Sequence, residues 1–175
     1  MASSPSSPFY KMGKIVHLNK ISKEDFKTFI VKEFAKRKTT LSDDALEKIL
    51  TLTENVPYNI QFLCHQLWDK YYEKKKITAQ DVDETIADIL SNQTPVYLTI
   101  WDSLPLSQRH LLKAIAISGG KNIFSHGFLT EYKLGPTPSV QTSINLLLSH
   151  GFLEKENGNF TLSDVFFKGW LERKA

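Results

Sequence analysis

The chain has 175 residues, 41% of them hydrophobic, and its net charge is only +3, from 22 basic and 19 acidic side chains. This length and composition suffice for one domain, or two small ones, with a buried core. The nearly balanced charge excludes a strong electrostatic attraction between the whole molecule and nucleic acid or membrane. Such binding would therefore depend on a local patch of charge. The single cysteine, Cys64, excludes an internal disulfide and a zinc site built on several cysteines.

No segment approaches the roughly 20 apolar residues that a membrane helix needs. The N-terminal stretch "MASSPSSPFYKMGK" also lacks the apolar centre of a signal peptide. We therefore expect a cytoplasmic protein with no membrane partner. The Ser/Pro-rich start and the β-type run "KIVHL" predict a linker and a short strand over residues 1–19.

Residues 20–93 are predicted to form a unit of four amphipathic helices. Ser22, Ser42 and Thr78 stand where caps are expected, and Asp81 completes a capping box with Thr78. Apolar residues then recur at helical spacing. The expected core faces are Phe26, Phe29, Ile30 and Phe34; Leu46, Ile49, Leu50 and Thr53; Ile60, Leu63, Cys64, Leu67, Trp68 and Tyr71; and Val82, Ile86, Ile89 and Leu90.

Residues 94–175 show a different order of elements. A short connecting helix over 92–104 is followed by a helix that Ser107 is expected to cap and that "SGGK" ends. A short helix, a helix with Val140, Ile144, Leu147 and Leu148, a hairpin about Asn157 and Gly158, and a final helix complete the chain. Three helices followed by a hairpin predict a winged helix-turn-helix. The predicted fold class is mainly α, a four-helix bundle followed by a winged helix with a small β-hairpin.

The residues do not predict an active site. Cys64 and His65 are adjacent on a helix and so point in different directions, and the five histidines lack the spacing of metal ligands. The carboxylates of the fourth helix are expected to form a solvated face rather than an acid and base pair. The GxxxxGK[ST], GxGxxG and GxSxG motifs are absent from the sequence. The carboxylates of that helix are Asp81, Asp83, Glu84 and Asp88. We expect this chain not to be an enzyme, and we expect no metal and no catalytic residue in it.

A winged helix suggests DNA binding, but the predicted recognition helix, residues 139–150, contains no Arg or Lys. Cations normally supply the phosphate contacts on which affinity depends. The candidate DNA-binding residues are Gln141, Thr142 and Asn145 for base edges, and Lys155 and Lys168 for phosphates. Contact with a protein partner is an equally open interpretation of this surface.

Several motifs, taken in order, resemble one known family. These are "SSPFYKMGKIVHL", "ISKEDFKTFIVKEF", "LTENVPYNIQFLCHQLW", "LPLSQRHLLKAIA" and "SVQTSINLLLSHGFLEKENGNFTLSDVFFKGWL". Together they are similar to the C-terminal half of archaeal- and bacterial-type AAA/STAND ATPases, in which a P-loop domain precedes a helical lid and a winged helix. The most specific are "NVPYNIQ", similar to the family's Gly-x-Pro-Tyr-x-x-Gln, and "LSDVFFKGWL", similar to its Asp-Pro-x-Phe-x-x-Trp-Leu ending.

This resemblance implies a cofactor-binding role for three residues. Pro57 would pack against the adenine of ATP or ADP, with Tyr58 beside it and Asn55 at the position of the family's glycine. A proline at the start of a helix presents an apolar face without losing a helix hydrogen bond. ATP or ADP would bind only together with an upstream P-loop domain, which this chain lacks, and no arginine stands where the family senses phosphate. A plain helix cap with Asn55 as N-cap would explain the same residues.

Our leading hypothesis is a non-catalytic regulatory half of an ATP-binding protein, a P-loop NTPase portion in which the lid senses nucleotide and the winged helix relays its state to a partner. The partners would be the upstream P-loop domain and, through the winged helix, a protein or duplex DNA. The alternative is a self-contained winged-helix transcriptional regulator. A third interpretation is an adaptor that binds protein in its apolar grooves.

Overall fold

The structure is a computed structural model that describes residues 21–174, and the predicted linker and strand of residues 1–19 lie outside them. Within the described residues the chain forms eight helices and two pairs of short strands, which agrees with the predicted fold class. In chain order these are α1 (Lys23–Ala35), β1 (Thr40–Leu41), α2 (Asp43–Leu52), α3 (Pro57–Lys70), β2 (Lys76–Ile77), α4 (Ala79–Ser103), α5 (Leu106–Ser118), α6 (His126–Glu131), α7 (Thr137–Ser149), β3 (Leu153–Glu156), β4 (Asn159–Leu162) and α8 (Val165–Arg173).

The three caps predicted in the first unit are confirmed. As N-caps do, the Ser22 and Ser42 hydroxyls accept hydrogen bonds from the backbone N–H groups three residues later, those of Asp25 and Ala45. Thr78 and Asp81 form the reciprocal capping box at the start of α4, and the Thr78 N–H donates to Asp81 at 2.8 Å. Burial of Asp81 would raise the pKa of its carboxyl, but hydrogen bonds from Lys74 and Thr78 outweigh burial and hold that pKa below its usual value.

A pair of two-residue strands, which the sequence did not predict, braces the bundle. β1 and β2 run parallel, with Thr40 opposite Lys76 and Leu41 opposite Ile77. They join the α1–α2 connection to the α3–α4 connection. Strands this short lack the alternating pattern by which a strand is recognised in a sequence.

The expected core face of α1 is wrong at one residue. Phe26, Ile30 and Phe34 are buried, whereas Phe29 is 49% exposed. The buried residues recur every four positions, and Phe29 lies about 100° around the helix from Ile30 at 3.6 residues per turn. It therefore points away from the core that the other three share.

The predicted fourth helix and the predicted connecting helix are a single helix, α4, of 25 residues, so the boundary expected at residues 93 and 94 falls inside it. Pro95 lies within this helix and cannot donate a backbone hydrogen bond to the Ser91 carbonyl. Packing of the residues that follow outweighs this loss, because Tyr97 is only 4% exposed. Long as it is, α4 is not a membrane span, and none of the helices between residues 21 and 174 combines the length and apolar character of one.

The winged-helix elements follow the predicted order, with one correction at the start of α5. Pro105 occupies the N-cap and the helix begins at Leu106, so the predicted cap, Ser107, lies inside the first turn. Proline suits this place because its fixed φ and missing N–H cost nothing at a helix start. The predicted end of α5 is confirmed by Gly119, which is left-handed at φ 74°.

The predicted hairpin is also present. β3 and β4 pair antiparallel, with Glu156 opposite Asn159, about a turn in which Asn157 and Gly158 both have positive φ. Two left-handed residues define the type I′ turn that an Asn-Gly pair favours.

Helix α8 closes the molecule by packing back onto α4. The Trp170 ring lies 5.8 Å from Tyr97 and 6.3 Å from Trp101, between ring centroids. The Trp170 indole N–H donates to the Thr94 hydroxyl at 3.1 Å. Through these contacts the four-helix unit and the winged helix share one continuous apolar core.

The two phenylalanines of α1 offer a matched test of its orientation. Phe34 is 2% exposed and meets Trp68 edge to face at 5.3 Å. We expect Phe34→Ala to lower the free energy of unfolding by about 3–5 kcal/mol, as for other buried phenylalanines. Phe29→Ala should change it by less than about 1 kcal/mol, as at exposed sites. Urea denaturation followed by circular dichroism measures both, and equal losses would contradict the orientation of α1.

Candidate functional site

The candidate nucleotide-facing turn, residues 54–58, joins α2 to α3 through strained backbone. Glu54 and Asn55 both have positive φ, at 51° and 56°. Asparagine adopts this left-handed conformation more readily than most residues, and Glu54 does so at a cost. The N-cap of α3 is Val56, with no side-chain cap hydrogen bond, so the interpretation of Asn55 as a helix cap is wrong. Helix ends still explain part of this turn, because Pro57 is the first residue of α3 and the Asn55 N–H donates to the Leu50 carbonyl at 3.3 Å, which closes the end of α2.

The turn presents an apolar surface to solvent. Val56 is 42% and Tyr58 73% exposed, and Pro57, between them, is exposed as the first residue of α3. The first N–H groups of a helix have no partner within it, and they add a partial positive charge at this end. The expected contact with an adenine base would require such an apolar face at a helix start. Pro57, Tyr58 and Asn55 are thus brought together on one accessible surface.

Aromatic rings connect this turn to the last helix. Tyr58 stacks on Phe62 at 6.4 Å with an interplanar angle of 11°. Phe62 in turn meets Phe166 of α8 edge to face at 5.2 Å. Pairs of this geometry add to the stability that burial alone gives.

An ion pair forms the second connection between the turn and α8. The Lys168 ammonium donates to the Glu54 carboxylate at 2.6 Å, and both side chains are partly buried. Lys168, predicted as a phosphate contact for DNA, therefore lies beside the candidate nucleotide-facing turn. No local pattern predicts this contact, because the two residues are 114 positions apart.

The other predicted DNA-binding residues lie on the exposed side of the winged helix. The Gln141 amide donates to the Asn145 side-chain oxygen at 3.0 Å, and the Thr142 hydroxyl donates to the Pro138 carbonyl at 3.0 Å. The Lys155 ammonium lies 5.3 Å from the centre of the Phe160 ring, its cross-strand neighbour. The structure thus brings Gln141 and Asn145 together, while Lys168 pairs with the α2–α3 turn.

The carboxylates of α4 are each engaged separately. Asp81 is paired with Lys74, and it is 4% exposed, so the expectation of a solvated face is wrong for this residue. The others point to different partners: Asp83 to Lys48, Asp88 to Lys70, and Glu84 to the Tyr71 hydroxyl. Carboxylates that are held by separate partners do not form an acid and base pair around one reacting atom.

Cys64 lies against the core of the bundle. Burial raises the pKa of its thiol to about 12, so almost none of it is thiolate near neutral pH. His65 instead approaches Asp69, with its Nδ1 3.0 Å from a carboxylate oxygen. This agrees with the expectation that the two neighbours do not act as nucleophile and base.

A family model described as a probable winged helix domain matches residues 95–173. That match covers the elements from the middle of α4 to the end of α8. The chain contains a winged-helix domain.

The chain is also similar to a probable DNA polymerase III subunit delta from Aquifex aeolicus (strain VF5). The two are 29% identical over 92 residues, which are 53% of this chain and 26% of that protein. The chain thus corresponds to a minor part of the length of this relative.

Among solved structures, the chain is similar to RuvB from Thermotoga maritima. The RuvB Holliday junction branch migration motor gives a TM-score of 0.39 at 16% identity, covering 87% of this chain and 49% of that one. A RuvB variant gives a TM-score of 0.41 at 17% identity, covering 90% and 51%. The chain thus spans about half the length of these structures.

The state of Cys64 gives a direct chemical test. We expect the native protein at pH 8 to react with a disulfide reagent at least tenfold more slowly than the same protein in guanidinium chloride, because burial protects the thiol and raises its pKa to about 12. Absorbance of the released thiolate measures the rate. Equal rates in the two states would contradict the burial of this thiol.

Proposed function

We propose that this chain is the nucleotide-responsive lid and winged helix of a cytoplasmic, ATP-binding P-loop protein of the AAA/STAND type. The turn of residues 54–58 faces a nucleotide held by the P-loop domain, and the winged helix relays the bound state to a partner. The observation that carries this proposal is the direct contact of the turn and α3 with α8, through Glu54 with Lys168 and Phe62 with Phe166.

The shape of the turn supports the nucleotide-binding step. Val56, Pro57 and Tyr58 form an exposed apolar edge at the start of α3. Such an edge stacks against an adenine base, while the phosphates and their metal ion are held by the P-loop domain. The residues of this chain therefore bind and orient the base and leave the chemistry to the other domain.

The contacts of α8 support the relay step. A shift of the turn on nucleotide binding displaces Phe62 and Glu54, and both contact residues of α8. Helix α8 also packs on α4, α5 and β4, so its displacement reaches the body and the wing of the winged helix. A bound nucleotide can shift the position of α8 only to the extent that it binds one arrangement of the turn and α8 more tightly than the other.

The relative named as a DNA polymerase III subunit delta supports a setting among proteins that act on DNA. The self-contained DNA-binding regulator ranks second because one of its two proposed phosphate contacts, Lys168, is engaged elsewhere. Lys168 is neutralised by Glu54, and Gln141 is bonded to Asn145. A duplex-binding surface needs free cations to hold the phosphates.

Two tyrosines at opposite ends of α3 allow a matched test in the protein that carries both the P-loop domain and this chain. Tyr58, 73% exposed, lies at the candidate turn, and Tyr72, 65% exposed, follows the other end of the helix. Loss of a base-stacking ring costs about 1–3 kcal/mol, so Tyr58→Ala should weaken ATP binding by about tenfold. Tyr72→Ala should leave it unchanged.

Fluorescence titration with a labelled ATP analogue measures both affinities, and circular dichroism checks that both variants are folded. Unchanged affinity in Tyr58→Ala, with the fold intact, would sink the nucleotide-facing assignment of this turn.

A further inference from the structure

A groove that the proposed function does not use runs along the winged helix. It lies between α5 on one side and the α6–α7 connection on the other. Two adjoining cavities of about 240 and 310 Å³ form it, and His110 and Lys133 line both. The groove is on a different surface from residues 54–58, which do not line either cavity.

One face of α5 forms the length of this groove. Leu106, His110, Lys113 and Ile117 follow one another at intervals of four, three and four residues, so they share a side of the helix. Leu106 is 66% and Ile117 49% exposed. They lie 11 residues apart, about 16 Å along the helix axis. Other sides of α5 contact α7, α8 and β4, which leaves this face as the one turned outward.

The charges between these two apolar ends are mainly positive. Within residues 21–174, Lys133 forms no ion pair, and its backbone is left-handed at φ 50°. The Lys113 ammonium donates to the Lys174 carbonyl at 3.2 Å, a neutral acceptor that leaves its charge uncompensated. The acid in the groove is Glu131, so two lysines face one carboxylate there.

We propose that this groove docks an acidic amphipathic helix of a partner protein. Two apolar side chains on the partner, about three turns apart, would cover Leu106 and Ile117, and carboxylates between them would face Lys113 and Lys133. Exposed apolar ends favour a protein over duplex DNA, whose backbone offers only charged and polar groups to such positions. Basic side chains between them select an acidic partner, because complementary charge gives specificity.

The probe is a labelled helical peptide of about 15 residues that carries two leucines 11 positions apart and glutamates between them; three turns of helix span this interval. A matched peptide carries lysines in place of the glutamates. Fluorescence anisotropy at low ionic strength, where charge is least screened, measures binding of both to the full chain.

We expect the acidic peptide to bind at least tenfold more tightly than the basic one. Lys133→Glu should weaken the acidic peptide by about tenfold and strengthen the basic one, whereas Leu106→Ser should weaken both. The matched control is Lys38→Glu. Lys38 is also an exposed lysine with positive φ, at the end of α1 and away from the groove, and this change should leave binding as it was.

Two results would overturn the proposal. Equal affinity for the acidic and basic peptides would show that the groove does not select by charge. The second result has two parts: the acidic peptide does not bind, and a short DNA duplex binds in a way that Lys133→Glu abolishes and Lys38→Glu leaves intact. It would assign the groove to nucleic acid instead.

Discussion

The packing of α8 onto α4 is the constraint on which the rest of the structure depends. Trp170 is held between Tyr97 and Trp101, and its indole N–H is bonded to Thr94. These contacts cover one face of the second half of α4, where Tyr97 is 4% exposed, beyond the proline that interrupts its hydrogen bonds. The same helix fixes the wing, because α8 also contacts β4 and α5. Removing α8 would therefore expose apolar surface in both units at once.

This arrangement places the end of the winged helix directly against the turn that precedes α3. The Glu54–Lys168 ion pair is partly exposed, and such pairs contribute about 1 kcal/mol or less. Phe62 contacts Phe166 edge to face, and Phe166 is 8% exposed. The turn and α3 are thus joined to α8 by a partly exposed charge pair and by an aromatic contact with a core residue. The proposed relay between the turn and the winged helix would pass through these two contacts.

Local signals in the sequence were sufficient for most elements. Ser22, Ser42 and the Thr78–Asp81 box cap helices by bonds within three residues, and the Asn157–Gly158 turn specifies its own geometry. What the sequence could not show depends on contacts between distant residues. Continuity of α4 through Pro95 depends on α8, more than 60 residues later, and so does the position of Lys168 beside Glu54. The exposed Phe29 shows the same limit, since hydrophobicity alone does not decide which of two neighbouring faces packs. At the candidate site, Pro57 and Tyr58 were found from their motif, and their connection to α8 was not.

A double-mutant cycle between Phe62 and Phe166 tests the contact between α3 and α8 most directly. Urea denaturation would compare Phe62→Leu, Phe166→Leu and the double variant. Phe62 and Phe160 form the control pair, because the Phe160 ring, on strand β4 of the wing, contacts Phe124 instead. An edge-to-face pair contributes about 0.5–1.5 kcal/mol, so we expect a coupling energy of that size for Phe62 with Phe166 and additive effects for the control. Additive effects for Phe62 and Phe166 as well would contradict direct communication between the turn and the winged helix.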